Sequence, residues 1–285
     1  MNIRRMTVAG QFYNSNLKAL EKEIKGFLTG VKSILPVNSL VRSVIVPHAG
    51  YAYSGKTASI TMNEASANKY KCIIVITPSH YVGFSGIALP SYDYCETPFG
   101  NIKVEKDLAS NLSSVFFVNE ESAHMQEHSL EVQLPLIKYI FNETPVFPMV
   151  CGHLTSNMFE DLAKNLSNLF TEDILWVTSS DFTHFGRSFG YMPFTTNIKE
   201  NLANLDGKAI EEILSFDPNG FQSYLKKTEA TICGATPITV MLETLNKAVH
   251  TGAKLNSKLI QYTTSGDLTG DYSHCVSYAG MAFYN

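Results

Sequence analysis

The chain has no closely spaced cysteine pair, no block of like charge, no long unbroken apolar run and no low-complexity tract, and each absence closes off a class of protein. Its five cysteines, Cys72, Cys95, Cys151, Cys233 and Cys275, are odd in number and far apart. That argues against a disulfide framework and a zinc ribbon, so the thiols are expected to be reduced. Cys72 and Cys151 adjoin strand-like runs and read as small buried hydrophobes. Acidic and basic residues are interspersed and the formal net charge is −4. No field exists to draw in nucleic acid or an anionic membrane surface, which leaves a small molecule, a peptide or a protein as the partner. Arg4 and Arg5 are followed by TVAGQFYNS, which lacks the apolar length of a signal peptide or a membrane span. The expected location is the cytoplasm.

What is present suits a large core. The 285 residues are 45% apolar and 17% charged, and we expect them to form one domain spanning 1–285. Short β-branched runs recur at 43–47, 72–78, 145–150, 174–180, 258–264 and 276–284 and read as strands. Between them, 16–30, 55–68, 128–141, 156–170, 204–215 and 235–250 carry apolar residues at helical spacing, with Asn14 or Ser15 and Ser156 as N-cap candidates. The stretch 86–118 reads as hairpin or edge strands. The alternation implies an α/β fold, a mixed and largely parallel sheet with helices on both faces.

The polar clusters then fall on one edge of that sheet. His48 follows the strand ending at Pro47, His80 follows CIIVITPS, and Asp181 and His184 follow ILWVTSS, so each emerges at a strand's carboxyl end, where open α/β sheets bind ligands. A lone His after a strand is most often structural; three on one edge point to a site. PHAGY and TPSHY set each imidazole behind a proline, and in PHAGY a glycine follows that lets the backbone turn away. Two such imidazoles suit zinc, iron, copper or nickel and call for an anionic third ligand. Cys233, in TICGATPI before a helical pattern, is the candidate, with its thiolate favoured by the helix dipole. Asp181, three residues before His184, reads as the carboxylate that orients that ring for acid–base work.

Other residues read more plainly. AHMQEHSLEVQLP holds His124, Glu127, His128 and Glu131 but no HExxH, which removes a zinc protease. Glu127 and His128 stay as pocket candidates with no assigned role, and Glu131 reads as solvated or capping. His153, His250 and His274 are given none. GYAYSGKT (50–57) matches the phosphate-loop pattern between a strand and a helix, yet Tyr51 and Tyr53 are bulky where a backbone must wrap phosphates.

Taken together, VAGQFY (8–13), VPHAGYAYSG (46–55), TPSHY (77–81), EHSLEVQLP (127–135), SSDFTHFG (179–186) and TICGATPI (231–238) resemble the motifs of the Memo family, also called the B component of the AmmeMemoRadiSam system, over nearly the whole chain. The resemblance implies a fold similar to class III extradiol ring-cleaving dioxygenases and a metal held by His48, His80 and Cys233, with Asp181 and His184 beside it. It implies a divalent transition metal, iron ahead of copper or zinc, and radical SAM and AMMECR-type protein partners. Extradiol enzymes use two His and a Glu around iron(II); a Cys in that Glu's place argues for metal-dependent redox chemistry and against catechol cleavage as such. Asn14 stands where the family pattern has Pro. A non-enzymatic adaptor that uses the same pocket for a peptide is the competing reading, with Tyr51, Tyr53, Tyr81, Phe182 and Phe185 near its mouth; a zinc hydrolase and a phosphate-loop NTPase are the others.

Overall fold

A computed structural model describes residues 2–112 and 115–285; Ser113 and Ser114, inside the expected 86–118 edge segment, lie outside the described residues. The strands are β1 Ile3–Arg4, β2 Val41–Val46, β3 Cys72–Pro78, β4 Ile87–Ala88, β5 Tyr94–Cys95, β6 Ile102–Lys103, β7 Phe117–Val118, β8 Val146–Cys151, β9 Ile174–Ser179, β10 His184–Gly186, β11 Asn256–Thr264 and β12 His274–Tyr284. The helices are α1 Leu17–Leu28, α2 Lys56–Asn63, α3 Glu121–Met125, α4 His128–Glu131, α5 Gln133–Phe141, α6 Ser156–Leu166, α7 Ile198–Leu214, α8 Pro218–Thr228, α9 Ala235–His250 and α10 Ser265–Thr269. None of them is long and apolar enough to cross a membrane.

A nine-stranded mixed sheet runs β10-β12-β2-β9-β3-β8-β4-β7, with β11 added alongside β12. Its centre, β2-β9-β3-β8, is parallel; β12 joins antiparallel to β2 and to β11. The parallel strands are apolar almost throughout because both faces are covered. Along β3, Ile74 and Ile76 point into the core beneath α6, α7, α8 and α9, while Ile73 and Val75 point into the core beneath α1, α2 and α5. Register then does the positioning. Val46 pairs with Ser179 and Ile76 with Thr178, so β2, β9 and β3 end level, and the residues that follow them emerge together.

The expected strands are found with shifted ends, and 86–118 supplies both the β5–β6 hairpin and the edge strands β4 and β7. Caps differ by a residue or two. Asn16, whose side chain accepts from the Ala19 amide, caps α1 in place of Asn14 or Ser15; Thr155 caps α6 in place of Ser156. Cys72 and Cys151 are buried as expected, and burial pushes the Cys72 thiol up to about 12.

Glu131 corrects the reading of it as solvated or capping. Its carboxylate is buried and accepts from Arg4 at 2.8 Å, from the Thr7 and Val8 amides at 2.9 Å, and from the Thr7 and Tyr13 hydroxyls at 2.9 and 3.0 Å. The distance of 127 residues between Glu131 and Arg4 left no local signal for the pair. Burial alone would raise this carboxyl, but Arg4 and the ring of donors outweigh it and hold it below its ordinary value. Its contribution to stability is therefore present above the ordinary carboxylate range and is lost as pH falls through the folded value. Removing one partner strands a buried charge, so Glu131→Ala and Arg4→Ala should each lower the unfolding free energy at neutral pH by about 3–5 kcal/mol in urea titrations.

Candidate metal centre

His48 enters the site straight after β2, where Pro47 fixes the backbone, and its ring is almost wholly buried. The Ser179 hydroxyl donates its one hydrogen to the Ser129 carbonyl at 2.8 Å and accepts from the Gln133 amide at 2.9 Å. It can therefore only accept from His48 Nδ1, 2.9 Å away, which leaves His48 Nε2 bare. Beyond β3, His80 is held the same way by Glu127, whose carboxylate takes the His80 amide at 2.7 Å and the Nδ1 hydrogen at 2.8 Å. Glu127 also caps α4 through the Ser129 amide, so one buried carboxylate fixes both the strand-end turn and the helix that carries His128. Burial would raise Glu127, but His80 overrides it and brings the carboxyl below its ordinary value.

α4 adds a third ring. Single donor atoms of His48, His80 and His128 lie within 4.8 Å of one another, and the His80 and His128 ring centroids are 4.5 Å apart. Burial first, then the neighbouring imidazoles, push His48 well down and His128 down to about 4, which keeps their lone pairs free for a cation. Donors at 2.0–2.1 Å from a common ion sit up to about 4 Å apart, so small side-chain movement suffices and this cluster can hold a metal. His128, like Glu127, is a pocket candidate to which the sequence assigns no role; its signal is the EHSLE segment itself, but nothing local says that α4 folds back over β2 and β3.

Cys233 Sγ lies 3.1 Å from His48 Nε2. It is delivered by Gly234, where a Cβ would meet the Ser180 Cβ at 2.3 Å and the Ser179 carbonyl oxygen at 2.8 Å, so only glycine lets the segment before α9 come this close. Burial, helped by Asp181, raises the thiol well above its usual value despite the helix start at Ala235, opposite to the dipole's expected effect. A cation is then what would make it a thiolate.

Asp181 reaches the site but does not orient His184. Its Oδ1 accepts from the His48 and Ala49 amides at 2.7 and 3.2 Å and so braces the His48 turn. The His184 ring is set by two carbonyls, Phe182 at 3.0 Å and Thr231 at 3.1 Å, both taking the Nδ1 hydrogen and leaving Nε2 bare. The 181–184 turn aims the carboxylate back toward β2, which a spacing of three could not reveal. His124 is buried against Tyr92 and the Ala88 carbonyl, away from this cluster.

The phosphate-loop reading fails on geometry. Tyr51–Gly55 is a helical turn whose amides are spent: Tyr51 donates to Phe12, and Tyr53 and Ser54 donate to Gly50. Two cavities are lined by neighbours of these residues, though not by the ligand candidates themselves. One of about 380 Å³ is bordered by Phe12, Tyr51 and Glu23; another of about 320 Å³ is bordered by Tyr53, Asp271, His274, Val276 and Tyr278, with Val276 paired to His184 across β10 and β12.

A family described as Memo-like protein matches residues 4–282. A MEMO1 family protein of Caldivirga maquilingensis is 32% identical over the full length of both chains, and one of Thermoplasma volcanium is 33% identical over 98% of this chain and 97% of its own. The protein memo-1 homolog of Caenorhabditis elegans is 29% identical over 99% of this chain and 82% of its own. In fold the chain is similar to the crystal structure of an uncharacterized Escherichia coli K12 protein, with TM-score 0.53 and 12% identity over 84% of this chain and 99% of that one.

The depressed His128 gives a prediction about pH. The unfolded chain takes up a proton near the ordinary histidine value of 6.5 that the folded chain refuses until about 4, so stability should fall as pH drops through that window. Urea midpoints measured from pH 7 to 4 should show the decline, and His128→Gln should flatten it.

Proposed function

The chain belongs to the Memo-like protein family, and from that premise we propose that it is a mononuclear metalloprotein whose ion is held by His48, His80 and Cys233. The observation that carries this reading is a bare His48 Nε2 with a thiol 3.1 Å from it, and a second imidazole, its Nδ1 committed to a buried carboxylate, with a donor atom within 4.8 Å of one on His48. The ion is a divalent transition metal, iron ahead of copper and zinc, since imidazole and thiolate donors suit all three. When bound, such an ion would supply open coordination positions and, with an anionic sulfur donor, favour redox or dioxygenase-like chemistry over simple water activation.

The chain's own residues would do the rest. His184, its Nδ1 hydrogen committed to carbonyls, presents Nε2 to accept or return a proton on a bound ligand. Asp181 keeps the His48 turn in place. The ligand is a small molecule or a peptide side chain, planar and aromatic by preference, because the Phe12 and Tyr81 rings pack on His128 beside the site. By family resemblance, radical SAM and AMMECR-type proteins are the proposed protein partners, and the cytoplasm the proposed location. The exposed Tyr81, packed on His80 and His128, also favours a second reading, an adaptor that binds a peptide in the same pocket without turnover.

Elemental analysis should find metal in the anaerobically purified protein and little in His48→Ala, His80→Ala or Cys233→Ser; undiminished metal in all three would sink the assignment. Iron(II)-loaded protein exposed to nitric oxide should give an iron–nitrosyl spectrum, and a preference for zinc with no such adduct would remove the redox reading. His184→Gln should retain the metal while losing any ligand-dependent oxygen uptake; an adaptor would show no uptake in either form.

A further inference from the structure

His48, His80 and His128 crowd together, yet their outer nitrogens are secured very differently. His48 Nδ1 is tied to the buried Ser179 hydroxyl and His80 Nδ1 to the buried Glu127 carboxylate. Ligating imidazoles anchored through their other nitrogen to buried acceptors are held in one orientation. His128 Nδ1 instead meets the hydroxyl of Tyr81 at 3.0 Å, and Tyr81 is 56% exposed on the rim. The Phe12 ring at 4.9 Å restrains the direction of His128 weakly, and the Glu127 carboxylate, already given to the His80 Nδ1 hydrogen at 2.8 Å, stands off at 3.5 Å from His128 Nδ1. A donor atom of His128 nonetheless lies within 4.8 Å of those of both anchored rings, on the side of His80, while Cys233 reaches the cluster through His48.

We propose that His128 is an exchangeable fourth donor: it closes the metal's remaining position in the ligand-free protein and swings out with Tyr81 when a small anionic oxygen or nitrogen donor takes that position. This rests on the metal reading above and adds to it which residue guards the open position. Four protein donors suit a closed tetrahedral site and three leave one position free, so releasing one ring converts a storage geometry into a binding one. No bond other than the metal–donor bond changes in the exchange. Tyr81 is the handle, since its phenol contacts the guarding ring and solvent at once.

Cobalt(II) serves as the probe ion, because its absorption intensity reports coordination number, and azide as the incoming anion. Wild-type protein loaded with cobalt should show an intense four-coordinate spectrum and bind azide weakly. His128→Ala should keep cobalt, with affinity reduced about tenfold, and bind azide about tenfold more tightly; Tyr81→Phe should fall between them without altering the spectrum before azide is added. Equal azide affinity in all three proteins would overturn the proposal, and so would complete loss of cobalt from folded His128→Ala, which would make His128 an obligatory ligand. If His128→Ala does not fold, the same comparison rests on Tyr81→Phe, whose exposed position spares the core. Cobalt retained by His48→Ala would instead bring down the metal reading itself.

Discussion

The arrangement of this site depends on buried carboxylates that take backbone amides at the carboxyl ends of parallel strands. A strand that ends in the middle of a sheet leaves its next amides pointing into a protein interior, where an unpaired donor is costly. Asp181 answers those of His48 and Ala49, and Glu127 answers that of His80. Each carboxylate is nearly inaccessible to solvent, and each fixes a turn that carries a ring. Asp206 extends the pattern by taking the Thr183 amide and the Tyr262 hydroxyl, which braces the turn just before His184. Glu131 completes it from the other side, gathering residues 4–13 so that Phe12 comes to rest on His128.

These constraints explain why the rings present lone pairs inward. In three of the rings the hydrogen is drawn outward: by Ser179 for His48, by Glu127 for His80, by two carbonyls for His184. The interior disfavours charge, so His48 and His128 are held neutral and the Cys233 thiol protonated. Such a cluster is poised to exchange protons for a cation, because binding one relieves an uncompensated set of lone pairs and stabilises the thiolate. The same burial that makes the site receptive also makes protonation of His128 a cost to folding.

Much of this is legible in the sequence. Period-two and unbroken apolar runs marked the principal strands, because a strand buried on both faces can carry little else. PHAGY and TPSHY mark two strand ends, because a proline before the imidazole, with a glycine after it in PHAGY, leaves the backbone few alternatives, and SSDFTH marks a third by its polar residues following an apolar run. What local pattern could not carry was partner choice. Asp181 stands three residues from His184 and binds His48 instead, and Glu131 looked like a surface residue until Arg4, 127 positions away, met it in the interior.

The sequence by itself determined which strands would be buried, which edge would gather polar residues, and which residue types would stand there, since periodicity and turn chemistry act over a few residues. Only the tertiary structure decided that β2, β9 and β3 end level, that α4 folds across them to add His128, and that Gly234 brings Cys233 against His48. Those outcomes rest on packing and on hydrogen-bond satisfaction between segments far apart in the chain, where close approach is settled by the fit of a missing Cβ or the reach of one carboxylate.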